Sequence, residues 1–276
     1  MTRSRLFRHF VPCLFGAWLG WTPTLRAELS RAEIADLFAQ GKDLFRQANE
    51  AVSADREKAT DLYQKSALRF ERMVQEGEVH NGKLFYNVGN IYFRMDDIGR
   101  AILNYRRAEQ YIPNDPNLKQ NLDYARQRRL DRIEDQQATR MVRTLLFWHY
   151  SFPARLRQVL FVVSFLLVWV GAALRLFVRR RFLSWCIGAS AAMAILFFAS
   201  LLADTISFRQ NRPGVILHPE VIARKGDSET YEPSFKEPLH AGTEFMLVEN
   251  RGGWLQVELA DARRCWLPAK AVEFAR

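Results

Sequence analysis

At 276 residues the chain has room for two modest domains plus membrane segments, and its mean hydropathy of −0.20 is an average that hides two strongly apolar blocks. The net charge of +10 is concentrated in two stretches: residues 1–27 hold four Arg and no acid, and 151–212 hold eight Arg and one Asp. Residues 28–150 set 20 bases against 19 acids, and 213–276 set eight against ten, so no folded face gathers the excess that a nucleic-acid binder needs.

The first segment, from Met1 to Arg8, is basic, and a short apolar run follows from Phe10 to Trp21. Thr24-Leu-Arg-Ala27 then precedes a polar start at Glu28, which is the pattern of a secretory signal over 1–27. The apolar core is short for a spanning helix, which needs about 20 residues, although Leu25 leaves an uncleaved anchor as the alternative. Bulky Leu14 and Phe15 after Cys13 argue against a lipoprotein site. Three cysteines cannot build a disulfide framework. No His/Cys cluster has metal-ligand spacing, so no metal or cofactor is expected. Cys265 is expected to be a small residue packed in a strand.

Residues 28–150 are expected to form an all-α domain, because apolar residues recur at helical spacing from Ile34 to about Tyr124. Within Gly82–Asp115, Phe85, Val88, Gly89, Tyr92, Ala101, Tyr105, Ala108 and Pro113 occupy the eight signature positions of a tetratricopeptide repeat. Gly89 and Ala101 are small where two helices approach closely, and Pro113 stops the second helix. A weaker repeat precedes it, with Gly41, Leu37, Ala59 and Tyr63 at matching positions and about six extra residues around Asn49–Lys58 that lengthen the turn. Asp115-Pro116 opens a capping helix. Tyr86, Asn90 and Phe93 fall on the face where such stacks bind partners. They are candidate protein-binding residues, with packing against the next helix as the alternative.

Two apolar stretches follow, expected as transmembrane helices over 156–178 and 182–203. Arg175, Arg179, Arg180 and Arg181 cluster around the turn 179–181, and no acid lies among them. The positive-inside rule puts that turn in the cytoplasm and both flanking domains outside it. Trp148 and Tyr150 sit where interfacial aromatics belong.

After Pro213 the pattern changes to short alternating strands with turn residues. Val221-Ile-Ala223, Gly226, Leu239-His-Ala-Gly-Thr243, Gly253-Trp-Leu-Gln-Val257 and Trp266-Leu-Pro-Ala269 resemble the bacterial SH3-like family over nearly all of 213–276. The resemblance departs at Cys265, where the family often has Gly, and at Ala262, where a turn Gly is usual. It implies a small barrel that binds ligands. Tyr231, Trp254 and Trp266 are the candidate ligand residues, and the alternative is that the tryptophans only close the barrel.

The whole order is exported helical repeats, a membrane hairpin with an arginine turn, and an SH3-like barrel. It resembles the tetratricopeptide protein of the bacterial aerotolerance (Bat) gene clusters. That resemblance implies von Willebrand A domain membrane proteins and a MoxR-type AAA+ ATPase as company, and a scaffold role in stress tolerance. No nucleophile–base pair, carboxylate pair or phosphate loop stands out, so the expectation is a non-enzymatic protein of the bacterial inner membrane with both domains on the periplasmic side. The alternative function is an envelope sensor or cell-wall (peptidoglycan or peptide) binder acting through the barrel.

Overall fold

The computed structural model describes residues 29–133, 141, 144–178, 180–210 and 212–275. The expected signal segment 1–27, Cys13 and Arg179 lie outside these residues. Most of the described chain is helical, with an antiparallel sheet at the C-terminal end.

The helical part begins with α1 (Arg31–Ala51), α2 (Arg56–Gln75), α3 (Gly82–Arg94), α4 (Ile98–Tyr111) and α5 (Pro116–Gln127). Each starts on a short polar side chain that accepts a backbone N–H of its first turn: Ser30, Asp55, Asn81, Asp97 and Asp115. At Ser30 a full capping box forms with Glu33. The extra residues around Asn49–Lys58 do not lengthen a loop as expected. They extend the helices, so α1 has 21 residues and α2 has 20, against 13 and 14 in α3 and α4. Asn49, Glu50 and Ala51 continue the helix without strain, and Asp55 restarts it.

Glycine at two matching positions lets the paired helices close. A Cβ on Gly89 would lie 2.5 Å from the Tyr105 ring, and one on Gly41 would lie 2.8 Å from the Phe70 ring. The buried Ser66 hydroxyl donates to the Gly41 carbonyl at 2.7 Å, so the crossing leaves no unmet polar group. Around these crossings Ala59, Tyr63, Phe70, Val88, Ile91, Ala101, Ile102, Tyr105, Leu118 and Leu122 form one apolar core.

A short helix α6 (Phe147–Ser151) leads to α7 (Ala154–Phe177) and α8 (Arg181–Gln210). These last two pack side by side and are long and apolar enough to cross a membrane, with mean hydropathies of 2.4 and 2.2. A Cβ on Gly171 would lie 2.8 Å from Ile187, and Phe161 stacks near Phe198 with ring centroids 5.7 Å apart. The second helix runs past the expected end at 203 because Asp204 finds a partner there, as described below.

The C-terminal strands are β1 (Pro213–Ile216), β2 (Glu220–Val221), β3 (Leu239–His240), β4 (Glu244–Arg251), β5 (Trp254–Leu259), β6 (Arg264–Pro268) and β7 (Val272–Phe274). A one-turn 3₁₀ segment, Ala269–Ala271, separates the last two. Five strands form an antiparallel sheet in the order β6-β5-β4-β1-β7, and β2 pairs with β3 apart from it. With β6 and β7 as its edges, the sheet does not close into the ring that a barrel implies. Ile216, Val221, Leu239, Phe245, Leu255, Val257, Cys265 and Leu267 fill its core. Burial pushes the Cys265 thiol up to about 12, so it stays protonated and packs as an apolar residue. Gly252 and Gly253 make the β4–β5 turn with φ of 49° and 97°, and Ala262 adopts 62° in the β5–β6 turn.

The helical part and the sheet are not separate bodies. Glu244, at the start of β4, accepts from Arg126 through Nε at 2.8 Å and Nη2 at 2.9 Å and from Arg129 at 3.2 Å, and forms an ion pair with Arg106 at 3.0 Å. Asp131 crosses over to accept from the His240 backbone N–H at 2.6 Å, its Nδ1 at 2.8 Å and the Thr243 hydroxyl at 2.6 Å. Arg107 pairs with Glu273 at 2.6 Å, and Gln110 donates to the Ala275 carbonyl at 2.6 Å. Between these polar contacts Val215, Leu217 and Ala275 join the helical core. Gly242 sits near Ile98 and Ile102 of α4.

Burial alone would raise the Glu244 carboxyl, but the Arg126 hydrogen bonds and the fields of Arg126, Arg106 and Arg129 hold it below its ordinary value. At Asp131 burial also works upward, and the bonds from Thr243 and His240 outweigh it. Both groups bind protons more weakly when folded. The stability they add is therefore complete above their ordinary values of 4.5 and 3.8 and is lost as pH falls below them.

Three outcomes follow for the full chain melted in detergent. Its melting temperature should fall steeply below about pH 4, and Glu244→Gln should flatten that fall while costing ~2–3 kcal/mol at neutral pH. An unchanged acid profile in that variant would remove Glu244 from the seam's energetics. Gly89→Val should cost about 1–3 kcal/mol by overpacking against Tyr105. Ala262→Gly, at an exposed position with positive φ, should instead stabilise by ~0.5–1 kcal/mol.

Candidate functional site, a groove between the first and third helices

α1 and α3 form the walls of a groove of about 820 Å³, with Phe70 of α2 and Ile91 of α3 at its base. Helical spacing puts Phe38, Lys42, Asp43, Phe45, Arg46 and Asn49 on one wall, with the Asp43 oxygens already taken by Arg46 and Gln47. Asn87 and Asn90 stand on the other. Phe38 is 39% exposed although it is a large apolar side chain, and its ring meets Phe70 edge-on at 5.9 Å. The Lys42 ammonium lies 5.6 Å above the Phe38 ring. Phe45 leans on Tyr63, with ring centroids 5.7 Å apart.

The polar lining is biased toward donors. Asn49 Oδ1 accepts from the Tyr63 hydroxyl at 2.7 Å, and Asn90 Oδ1 accepts from Tyr105 at 2.8 Å and from Asn121 at 2.9 Å. Burial raises both tyrosines above their ordinary value, so they stay protonated and keep donating. The acceptor ends of two asparagines are thus occupied inside the protein. Among the described residues nothing takes the amide nitrogens of Asn49, Asn87 or Asn90. Arg46 is held between Asp43 at 2.6 Å and Glu50 at 2.7 Å, whereas among the described residues no carboxylate lies against Lys42. The groove therefore offers aromatic faces, amide donors and one uncommitted ammonium to an extended chain rich in carbonyl or carboxylate oxygen.

Of the three candidates from the repeat signature, only Asn90 lines this groove. Tyr86 and Phe93 face α5: the Tyr86 hydroxyl accepts from Asn121 at 3.0 Å, and the Phe93 ring packs on Tyr124 at 5.5 Å with the Arg128 guanidinium above it, also at 5.5 Å. The capping helix covers them. The α1 wall went unread because Leu37 and Gly41 mark only its buried side. Its signal was the apolar pair Phe38 and Phe45 at i and i+7, with Phe38 about 100° round the helix from Leu37.

On the sheet, the aromatic candidates do not form an open platform. Trp266 is 6% exposed, because the Arg224 backbone bonds across it in both directions at 2.9 Å and the Arg251 guanidinium lies 5.3 Å from its ring. The exposed Tyr231 ring lies flat over Gly226, where a Cβ would come within 2.6 Å of it. Trp254 is half-buried on β5 opposite Pro268. Among the described residues no three His, Cys, Asp or Glu side chains are grouped to hold a metal ion. No protein-family profile matches this chain, and neither does any curated protein or solved structure.

Proposed function

We propose that this chain is a non-enzymatic scaffold anchored in the bacterial inner membrane by α7 and α8, and that it recruits a membrane-anchored protein through the α1–α3 groove. The observation that carries this reading is the groove itself, where exposed phenylalanine, amide donors and an uncommitted lysine share one face. A concave face of this composition suits a peptide segment, whose carbonyls need donors and whose side chains need apolar contact.

The hairpin leaves most of its apolar side chains uncovered, Leu176, Phe177 and Trp185 among the most exposed. Water would oppose such a surface and lipid would not. Arg175, Arg180 and Arg181 at the turn favour the cytoplasmic side for that end, and hence export of both folded parts. The repeat signature and the strand pattern support tetratricopeptide-type and SH3-like assignments. Together with the order of parts they favour a role like that of the tetratricopeptide protein of the aerotolerance gene clusters. The partner would then be a von Willebrand A domain membrane protein. Cell-wall recognition through Tyr231 and Trp254 is the competing reading.

The test is co-purification of that partner from membranes with intact chain, with Phe38→Ala/Asn87→Ala and with Trp254→Ala, each checked by circular dichroism. The groove variant should lose recovery on the order of tenfold, equivalent to ~1.4 kcal/mol, and Trp254→Ala should change it little. Full recovery by the folded groove variant would overturn the assignment. Loss confined to Trp254→Ala would move the function to the sheet.

A further inference from the structure

Resting on the reading that α7 and α8 lie in a bilayer, we propose that α6 together with Leu145 and Leu146 just before it forms a shelf that lies in the membrane interface and fixes how the exported body sits on the lipid surface. The first observation is a polar cluster at the open end of the hairpin. Arg157, 5% exposed, donates to the Ser200 hydroxyl at 2.7 Å and to Asp204 at 2.6 Å. His149 of α6 joins it, with Nδ1 2.8 Å from Ser200 Oγ and 3.0 Å from Arg157 Nη1, and Nε2 3.5 Å from Asp204. A ring that accepts at Nδ1 and turns Nε2–H toward the carboxylate satisfies this geometry.

The second observation is depth. Arg157 lies 20 residues before the end of α7 at Phe177, so the helix carries it about 30 Å from the arginine turn, which is about the thickness of the hydrocarbon layer. The cluster therefore marks the opposite boundary of that layer. Pinned to it by His149, α6 sits at headgroup level.

The third observation is what α6 exposes there. Leu145, Leu146 and Phe147 are 72%, 38% and 55% exposed, three large apolar side chains in succession. The Phe147 ring meets Phe152 edge-on at 6.2 Å, and Leu156 and Val159 at the start of α7 are exposed as well, with exposed Arg155 on the same first turn to suit lipid phosphate. Exposed apolar side chains at the entry to a lipid-facing helix, at that depth and with an exposed cation in the same stretch, fit the boundary between headgroups and acyl chains. The side-chain clip makes the shelf a rigid extension of the hairpin.

The experiment uses the full chain with Cys13→Ala and Cys186→Ala. Cys265 is kept, since it is buried and its thiol is pushed up to about 12. A fluorophore is attached at Leu145→Cys, at Ile195→Cys in the middle of α8, or at the exposed Leu68→Cys of α2, in vesicles of phosphatidylcholine and phosphatidylglycerol. Nitroxide-labelled lipids carry the quencher either near the headgroup or near the chain end. The Leu145 label should be quenched roughly twofold more by the shallow nitroxide than by the deep one, the Ile195 label should show the reverse, and the Leu68 label should respond to neither. A quenched Ile195 label with an unquenched Leu145 label would overturn the shelf and leave the membrane hairpin standing. Stronger deep quenching at Leu145 would overturn the interfacial depth. An unquenched Ile195 label would overturn the hairpin reading and the shelf with it.

Discussion

One carboxylate, Glu244, holds the two folded parts of this protein together, because three guanidiniums from α4, α5 and the segment after α5 converge on it. Its side chain is only 18% exposed, so the charges are partly stripped of water, which is tolerable only when every lone pair is met. Arg126 meets two of them in bidentate form, and Arg106 and Arg126 also reach Glu109 and Asp123, which offsets the surplus of positive charge. Asp131 mirrors the arrangement with opposite parentage: its acid comes from the helical side and its donors from the sheet. With a polar lock at each end and Val215 packed between, α4 serves as a wall of the helical core on one side and as a floor for β1 on the other.

That seam controls the geometry of everything else. The chain leaves α5, crosses the sheet through Asp131, enters the hairpin, and returns at β1, which packs against α4. The α1–α3 groove lies on the part of the stack the seam leaves uncovered, since α5 has sealed the Tyr86 and Phe93 side and the sheet has taken the α4–α5 edge. Two independent modules on flexible leads would gain from effective concentration alone. A single body presents its groove and its sheet at fixed separation.

Local structure was legible because it rests on short-range chemistry. Asp, Asn or Ser before each helix, Gly41 and Gly89 under aromatic rings, apolar runs of spanning length, and Gly252-Gly253 at a turn all act over a few residues. Ala262 was legible too, as a residue standing where glycine is usual, and it takes positive φ. The seam was not legible. Glu244, Arg126 and Arg129 are ordinary charges in the sequence, and only the fold reveals that residues more than a hundred positions apart share a bond. The failure of β6 and β7 to pair with each other and the covering of Trp266 by Arg251 escaped for the same reason. The groove escaped for a different one: a phenylalanine on the outer side of an amphipathic helix looks like scatter until the facing wall of asparagines is in place.

The Arg126–Glu244 bond joins residues 118 positions apart, and the intervening chain includes both hairpin helices. During synthesis at ~5–20 residues per second the arginines are made roughly 6–24 s before their acid. For that time the arginines of α4 and α5 have only Glu109 and Asp123 of their own helices against them, and the edge that Glu244 closes stays open. If the hairpin threads the bilayer, closure also demands that the second helix return the chain to the side where the first helix left it. A copy with one helix uninserted would strand Glu244 across the membrane from its arginines. The seam would then act as a checkpoint on biogenesis, with the open edge as the mark by which quality control could tell a half-inserted copy from a finished one.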